Sequence, residues 1–480
     1  MKALIVSVIL TLCGGIAAGQ LPQPTPGTPR SAVLPAIKEA KLKNGLLVAA
    51  VEKKSVPLVT ITILIGAGAA IEDEKKAGLA DLTASMLTKG TKTRSATQIA
   101  EQIEFLGGTI SSGAGWNAAN VTVTVPSDKL ESALKVMSDI ILDPAFEQKE
   151  LDLLKSQTAD ELSYNLNQPS FLANYAASVF TFNEHPVVGT PETIRSITPE
   201  DLKAFYAANY LAKNSRLIFA GDVSAANAEA LATRYFAKMA GQNGAGKPTE
   251  RPAAASASHE IPMAQRLLVI DLPNSGQAAV SFTNRSLALQ RSSPEYYVAS
   301  VYNSVLGGGY SSRLNQEIRI KRGLSYGAGS SFSWRGIGAN FATRTQTKNE
   351  SAAEVAQLVV EELQKLMAGP VSEGELIPRK AVLTGNFGRN METTAGIAGF
   401  LADLYTFGVP VTAMNEFDGG INGVSAAKIE QFAKTNVAGD LIIVGDYAKF
   451  KEDLAKRFPK LTAKVVTAED LRSDIGSLTK

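Results

Sequence analysis

The sequence predicts an α+β protein built from one unit written twice. Three observations carry this expectation. Short β-branched runs such as VTITILI (59–65) mix, within each half, with stretches whose apolar residues recur every three or four positions, so strands and helices interleave. The segments SRLIFAGDVS (215–224) and DLIIVGDYAK (440–449) resemble each other, and their Gly-Asp pairs lie 224 positions apart. Each follows a helical stretch with an aromatic, Phe205 or Phe432. Between them, GQNGAGKPTERPAAASAS (241–258) has the composition of a linker. The expected fold is two homologous α/β-sandwich halves, 36–240 and 261–480, joined by a linker over 241–260.

Residues 1–19 read as a secretory signal: Lys2, an apolar stretch from Ala3 to Leu12, then small residues up to Gly19. The stretch is too short to span a bilayer, and no later segment is apolar for long enough. Export is expected. The one cysteine, Cys13, falls inside this segment, and Leu12 is bulky for the residue before a lipidated cysteine. Once the signal is removed, disulfides and thiolate metal sites are excluded.

A flexible lead-in follows over 20–35. Asn44-Gly45 between AKLK and LLVAAVE signals a hairpin. GLADLTASMLTKGT (78–91) reads as a helix with Leu79, Leu82, Met86 and Leu87 on its buried face. Ser95 and Gln98 form a capping box for the next helix, which Gly107 and Gly108 end. A strand pair is expected over 108–125, then helices from Ser127 to about Leu142 and over 147–165. The second half repeats the plan, with strands near 265–271 and 277–283, a strand pair near 326–343, and a helix capped by Ser351 and Glu354.

Charge excludes one class of partner. With 48 Lys and Arg against 46 Asp and Glu, and no basic block, nothing favours nucleic acid. Gly241, Gly246 and Lys247 imitate a phosphate loop, but Pro248 replaces the Ser or Thr that would reach magnesium. Gly307, Gly308 and Gly309 lack a following Lys-Ser/Thr and read as a flexible turn before the Arg313 helix.

Two places hold candidate chemistry. On the helix at 78–91, Asp81, Ala84 and Ser85 share a face; taken alone, that face reads as close packing. The chain has two histidines, His185 and His259, and neither has a carboxylate and a second histidine at helical spacing. A His₂Glu zinc site with its two histidines on one helix cannot be assembled from this sequence. In RIKRGLSY, Arg319 and Tyr326 are seven residues apart. Gly323 can end the helix that Arg319 closes, Tyr326 can open a strand, and the two side chains can converge. The plainer alternative has Arg319 capping its own helix and Tyr326 packing at a strand start.

The ordered set GLADLTASMLTKGT, EHPVVGT, YLAKNSRLIFAGDVS and LGGGYSSRLNQEIRIKRGLSYGAGSSF resembles the insulinase (M16) zinc peptidases, from about residue 36 to 465. Members that cut peptides carry H-x-x-E-H on the first of these helices, the histidines holding zinc and the glutamate activating water. The resemblance puts the two histidine positions on Asp81 and Ser85, the base on Ala84, and a later metal-binding glutamate on Glu161. It therefore implies a degenerate site, with no metal or cofactor in this chain.

The resemblance also matches Arg319 and Tyr326 to a family pair that binds the substrate carbonyl and developing oxyanion. Thr109, Ile110, Ser111 and Ser112 fall on an edge strand where family substrates add as a further strand. Two functions follow as expectations. The first is a zinc-free subunit of a heterodimeric metalloendopeptidase, acting on extended peptide with an H-x-x-E-H partner that holds zinc. The alternative is a non-catalytic peptide-binding or scaffold protein of the same fold. Catalysis by this chain alone is not expected.

Overall fold

Two six-stranded sheets organise the chain, in a computed structural model that describes residues 35–241, 266–435 and 438–479. The signal segment with Cys13, nearly all of the lead-in, Gly246, Lys247, Pro248 and His259 lie outside the described residues. The first sheet contains β1 (Ile37–Lys41), β2 (Leu47–Glu52), β3 (Leu58–Ile65), β4 (Thr109–Ala114), β5 (Ala119–Pro126) and β6 (Ser215–Gly221), in the order β1-β2-β6-β3-β5-β4. The second contains β7 (Leu267–Asp271), β8 (Ala278–Ser286), β9 (Ala328–Trp334), β10 (Ala339–Thr347), β11 (Asp440–Gly445) and β12 (Ala463–Thr467), in the order β12-β7-β11-β8-β10-β9.

The duplication is visible in the pairing. β6 runs parallel to β2 and antiparallel to β3, and β11 stands in the same relation to β7 and β8. Gly221 pairs with Glu52 at the end of β6, and Gly445 with Asp271 at the end of β11, so the two Gly-Asp pairs occupy equivalent places. Gly221 has φ +133°, and a Cβ there would sit 2.1 Å from the Leu58 carbonyl oxygen. The halves differ at one margin, where β1 joins antiparallel from the front of the chain and β12 joins parallel from its end.

Alternation along the central strands explains how both faces are covered. Leu267, Val269, Val280, Phe282, Leu441 and Ile443 point into the second half's own helical layer. Their neighbours Leu268, Ile270, Ala279, Ile442 and Val444 point the other way, against helix Pro169–Phe180 of the first half. The exchange is reciprocal. Helix Thr394–Thr406 of the second half packs on β3 and β6, against the face that carries Ile218 and Ala220. Thr60 of β3 meets Thr394 hydroxyl to hydroxyl at 2.8 Å. Each half thus closes the other's sheet, and the strands read as unbroken apolar runs because neither face is wet.

Local signals hold in most places. Ser95 and Gln98 form the capping box, and Gly107 takes φ +70° just past that helix. Ser127 opens a 3₁₀ turn that leads into helix Leu130–Leu142. Ser351 departs from expectation: it lies at the end of a 3₁₀ turn in right-handed helical geometry, and its side chain caps nothing in helix Ala352–Ala368. The 3₁₀ turn holds Ser351 in helical geometry rather than in the extended backbone from which an N-cap hydroxyl reaches the first N–H groups. No described helix is long and apolar enough to cross a membrane.

Candidate functional site

Helix Leu79–Met86 carries the first candidate face. Its start is built from two pieces. Gly78 takes φ +95°, which a side chain would strain, and Glu72 reaches back across the turn. The Glu72 carboxylate accepts from the backbone N–H of Gly78 at 2.8 Å and of Ala80 at 2.6 Å. Burial pushes the Glu72 carboxyl up to about 8, against the pull of those two N–H groups. A carboxyl raised above its unfolded value binds its proton more tightly when folded, so its contribution is full below the ordinary pKa. Stability is therefore expected to fall as pH rises from about 4.5 to about 8. Urea midpoints at pH 5 and pH 8 measure this, and Glu72→Gln should flatten the slope.

Asp81 and Glu161 do come near each other. Glu161, exposed on helix Gln148–Asn165, acts electrostatically on Asp81 and adds to the burial that raises the Asp81 carboxyl. Asp81, however, is spent on structure: its Oδ1 accepts the Ala114 backbone N–H at 3.1 Å, at the end of β4. Ala84 is fully buried, and its carbonyl accepts from the Ser112 hydroxyl at 2.6 Å. Ser85 is half-buried with only a hydroxyl to offer. Among the described residues no three His, Cys, Asp or Glu side chains gather in metal-binding geometry.

This donor set does not fit zinc. It offers one capping carboxylate, one hydroxyl and one solvent-facing carboxylate where two imidazoles and a glutamate are wanted. Asp81→Asn keeps an acceptor for Ala114 and removes a charge that burial and Glu161 disfavour. It is expected to leave stability within about 0.5 kcal/mol or raise it, as read from urea unfolding at pH 8; a loss above about 2 kcal/mol would contradict the capping role.

His185 stands apart from this face. Its Nε2 lies 3.1 Å from the Ala69 carbonyl oxygen, its Nδ1 lies 3.6 Å from Glu72 Oε1, and its ring packs against Trp116 at 5.1 Å. The imidazole helps seat the turn before the helix.

β4 is an edge, as its order in the sheet requires. Thr109 and Ser111 face β5 in the hydrogen-bonding phase, so Ile110 and Ser112 turn their backbone N–H and C=O outward. At β9, the matching edge of the second sheet, three of the outward groups are taken. The Ala328 N–H donates to Asn315 Oδ1, the Ser330 N–H to the Gly307 carbonyl, and the Trp334 carbonyl accepts from Asn117. Ile110 and Ser112 thus leave backbone groups on the outer side of β4 facing away from the sheet, where an added strand would pair.

Arg319 and Tyr326 converge at the start of β9. The Arg319 guanidinium sits 4.7 Å from the centre of the Tyr326 ring and 5.1 Å from that of Tyr310. Arg319 lies on a π-helical stretch, Asn315–Lys321, of the wide-turn kind that recurs at functional sites. Gly323 takes φ +62° and donates to the Arg319 carbonyl at 3.0 Å, ending the helix as expected. The strand opens at Ala328, two residues later than the sequence suggests, which leaves Tyr326 in an exposed bend at 89 % accessibility. The Arg319 side chain does not cap its own helix.

A groove of ≈ 510 Å³ opens at Arg319, and Tyr310, Asn315, Arg319, Ser330 and Arg344 supply its polar lining. The three glycines form the turn expected before the Arg313 helix, and Gly307 and Gly309 line the groove. A Cβ on Gly307 would lie 2.3 Å from the Ser330 nitrogen, and one on Gly308 2.7 Å from the Ser304 Cα. The close approach of backbones demands glycine there. Sequence reading does not single out Tyr310, Asn315 or Arg344. Arg344 was legible only as an outward position of an alternating strand, TRTQT.

The family model for insulinase (peptidase family M16) matches residues 47–185, and the model described as the peptidase M16 inactive domain matches residues 196–382. An uncharacterized zinc protease of Rickettsia felis is 28% identical over 352 residues, covering 72% of this chain and 82% of that protein. The uncharacterized zinc protease YmxG of Bacillus subtilis is 24% identical over 365 residues, covering 75% of this chain and 85% of that protein.

Among solved structures, a peptidase M16 inactive domain from Pseudomonas fluorescens superposes with a TM-score of 0.75 at 26% identity, covering 85% of this chain and 98% of that one. A Helicobacter pylori protease shares the fold, with a TM-score of 0.78 at 18% identity over 86% of this chain and 100% of that one. The two family models match the two halves in order, on a doubled sheet architecture that solved members share: this chain belongs to the insulinase (M16) peptidase family.

Proposed function

We propose that this chain is the zinc-free subunit of a two-chain M16 metalloendopeptidase. It lends Arg319 and Tyr326 to a partner that carries H-x-x-E-H, the zinc and the water-activating glutamate. The observation that carries the reading is a contrast within one molecule. At the degenerate face, Asp81 caps β4 and Ala84 is buried in the core, so that face is absorbed into the fold. At the other site, Arg319 has no carboxylate partner among the described residues, and it lies between two exposed tyrosines beside an open groove.

The chemistry suits peptide-bond hydrolysis in trans. An extended peptide presents its scissile carbonyl, and the Arg319 guanidinium and the Tyr326 phenol donate hydrogen bonds to that oxygen. Both bonds strengthen as negative charge builds on the oxygen, so they favour the tetrahedral intermediate over the ground state. The partner supplies the metal. The segment at 1–19 supports export, so the periplasm is the compartment proposed for the pair.

Affinity purification of the tagged chain from its host, with mass spectrometry of what co-purifies, tests the assignment. A stoichiometric H-x-x-E-H protein of similar size is expected. Recovery of the chain alone or as a homodimer would transfer the assignment to a peptide-binding or scaffold role.

A further inference from the structure

We propose that the groove beside β9 recognises the side-chain carboxylate of an Asp or Glu in a bound peptide, and that Arg344 is the residue that selects it. The inference rests on the reading that Arg319 and Tyr326 face a peptide, and adds a specificity to it. Two guanidinium groups, Arg319 and Arg344, line one groove of ≈ 510 Å³. Neither has an ion pair or a side-chain hydrogen bond among the described residues, in a chain where Arg313, Arg322 and Arg335 nearby are all paired with glutamates. Two like charges left unpaired in one concavity repel, and an anion placed between them relieves that repulsion.

The register shows why Arg344 reaches the groove. It pairs across the strands with Gly329, which has no side chain to cover it. Gly329 in turn lies close under the Gly307 carbonyl, so the floor stays low. Asn315 is held with its Oδ1 accepting from Ala328, which leaves the two arginines to set the charge of the lining. A planar guanidinium matches a carboxylate in two parallel hydrogen bonds, which a neutral amide cannot reproduce.

The test uses the full chain and a fluorescein-labelled, C-terminally amidated nonapeptide of Ala and Ser with one central Glu, against its Gln twin. Fluorescence anisotropy is expected to show the Glu peptide binding about fivefold tighter at low salt, with the difference shrinking as salt rises. Arg344→Gln should abolish the preference, Arg344→Lys should retain part of it, and Arg344→Glu should invert it toward a Lys peptide.

Equal affinity for the twins, no binding to either at millimolar concentration, or an unchanged preference in Arg344→Gln overturns the proposal. A Gln peptide with a free C-terminus that binds as well as the amidated Glu peptide also overturns it, by assigning the groove to a terminal carboxylate. These readings are made on the chain alone. The charge preference can therefore fail while turnover in the two-chain complex still depends on Arg319, which separates its failure from that of the subunit assignment.

Discussion

Replacing Glu184 by alanine is expected to lower the unfolding free energy by about 3–5 kcal/mol. Glu184 is only 6 % exposed and follows the helix that crosses onto the second sheet. Its carboxylate accepts from Arg335 Nε and Nη2, each at 2.9 Å, and from Asn340 Nδ2 at 3.0 Å; Arg285 stands 4.0 Å away. Every one of those donors belongs to β8, to β10 or to the turn between β9 and β10. The carboxylate therefore fastens the first half's crossing segment to the second half's outer hairpin.

The loss comes mainly from what remains. Alanine leaves the Arg335 guanidinium, with its side chain 16 % exposed, facing no anion, and leaves Asn340 with an unmet donor. Arg335 also lies 5.3 Å from the centre of Trp116, and Asn117 donates to the Trp334 carbonyl at 3.0 Å, so the disturbance reaches the tip of the first sheet's outer hairpin. Urea unfolding followed by tryptophan fluorescence measures the change. Glu184→Ala combined with Arg335→Ala should cost less than the two single changes added, because the second removes the orphaned charge. A loss below about 1 kcal/mol would mean that the halves are held by the exchanged helices alone.

Those exchanged helices mark where sequence reading stopped. The period of PSFLANYAASVF announces a helix, but nothing local says that its partner is a sheet whose strands begin about a hundred residues later. LLVID and DLIIVG read as continuous apolar strands; only the fold shows that Leu267 and Leu268 serve different layers. Features set by neighbours within a few residues were legible: the capping box at Ser95, the turn at Gly45, and the end of a helix at Gly323.

The candidate sites divide along the same line. The spacing of Arg319 and Tyr326 was visible, and their convergence needed only one turn of chain. Tyr310, Arg344 and the capping use of Asp81 depend on which strand passes beside them, so no local pattern encodes them. Glu72 is an intermediate case. Its six- and eight-residue reach to Gly78 and Ala80 spans a turn that no helix template includes.

Arg319→Ala is expected to lower kcat/KM of the two-chain complex by about 10²- to 10³-fold, close to the cost of removing one donor from an oxyanion site. The argument separates turnover from folding. Arg319 stacks between two exposed rings and makes no ion pair or side-chain hydrogen bond among the described residues, so its removal leaves no buried group unsatisfied. Stability should change by no more than about 0.5–1 kcal/mol, and pairing with the partner should persist on size exclusion. Lysine at the same position keeps the charge but loses the planar fork, and should recover only part of the rate.

Tyr326→Phe removes a single neutral donor while keeping the ring beside Arg319, so a smaller loss in the same direction is expected. The effect should appear in kcat at saturating peptide, because a bond that strengthens with developing charge contributes little to ground-state binding. A rise in KM alone would make Arg319 a docking residue. Unchanged turnover would leave the chain without a part in the chemistry, and its groove would then serve binding only.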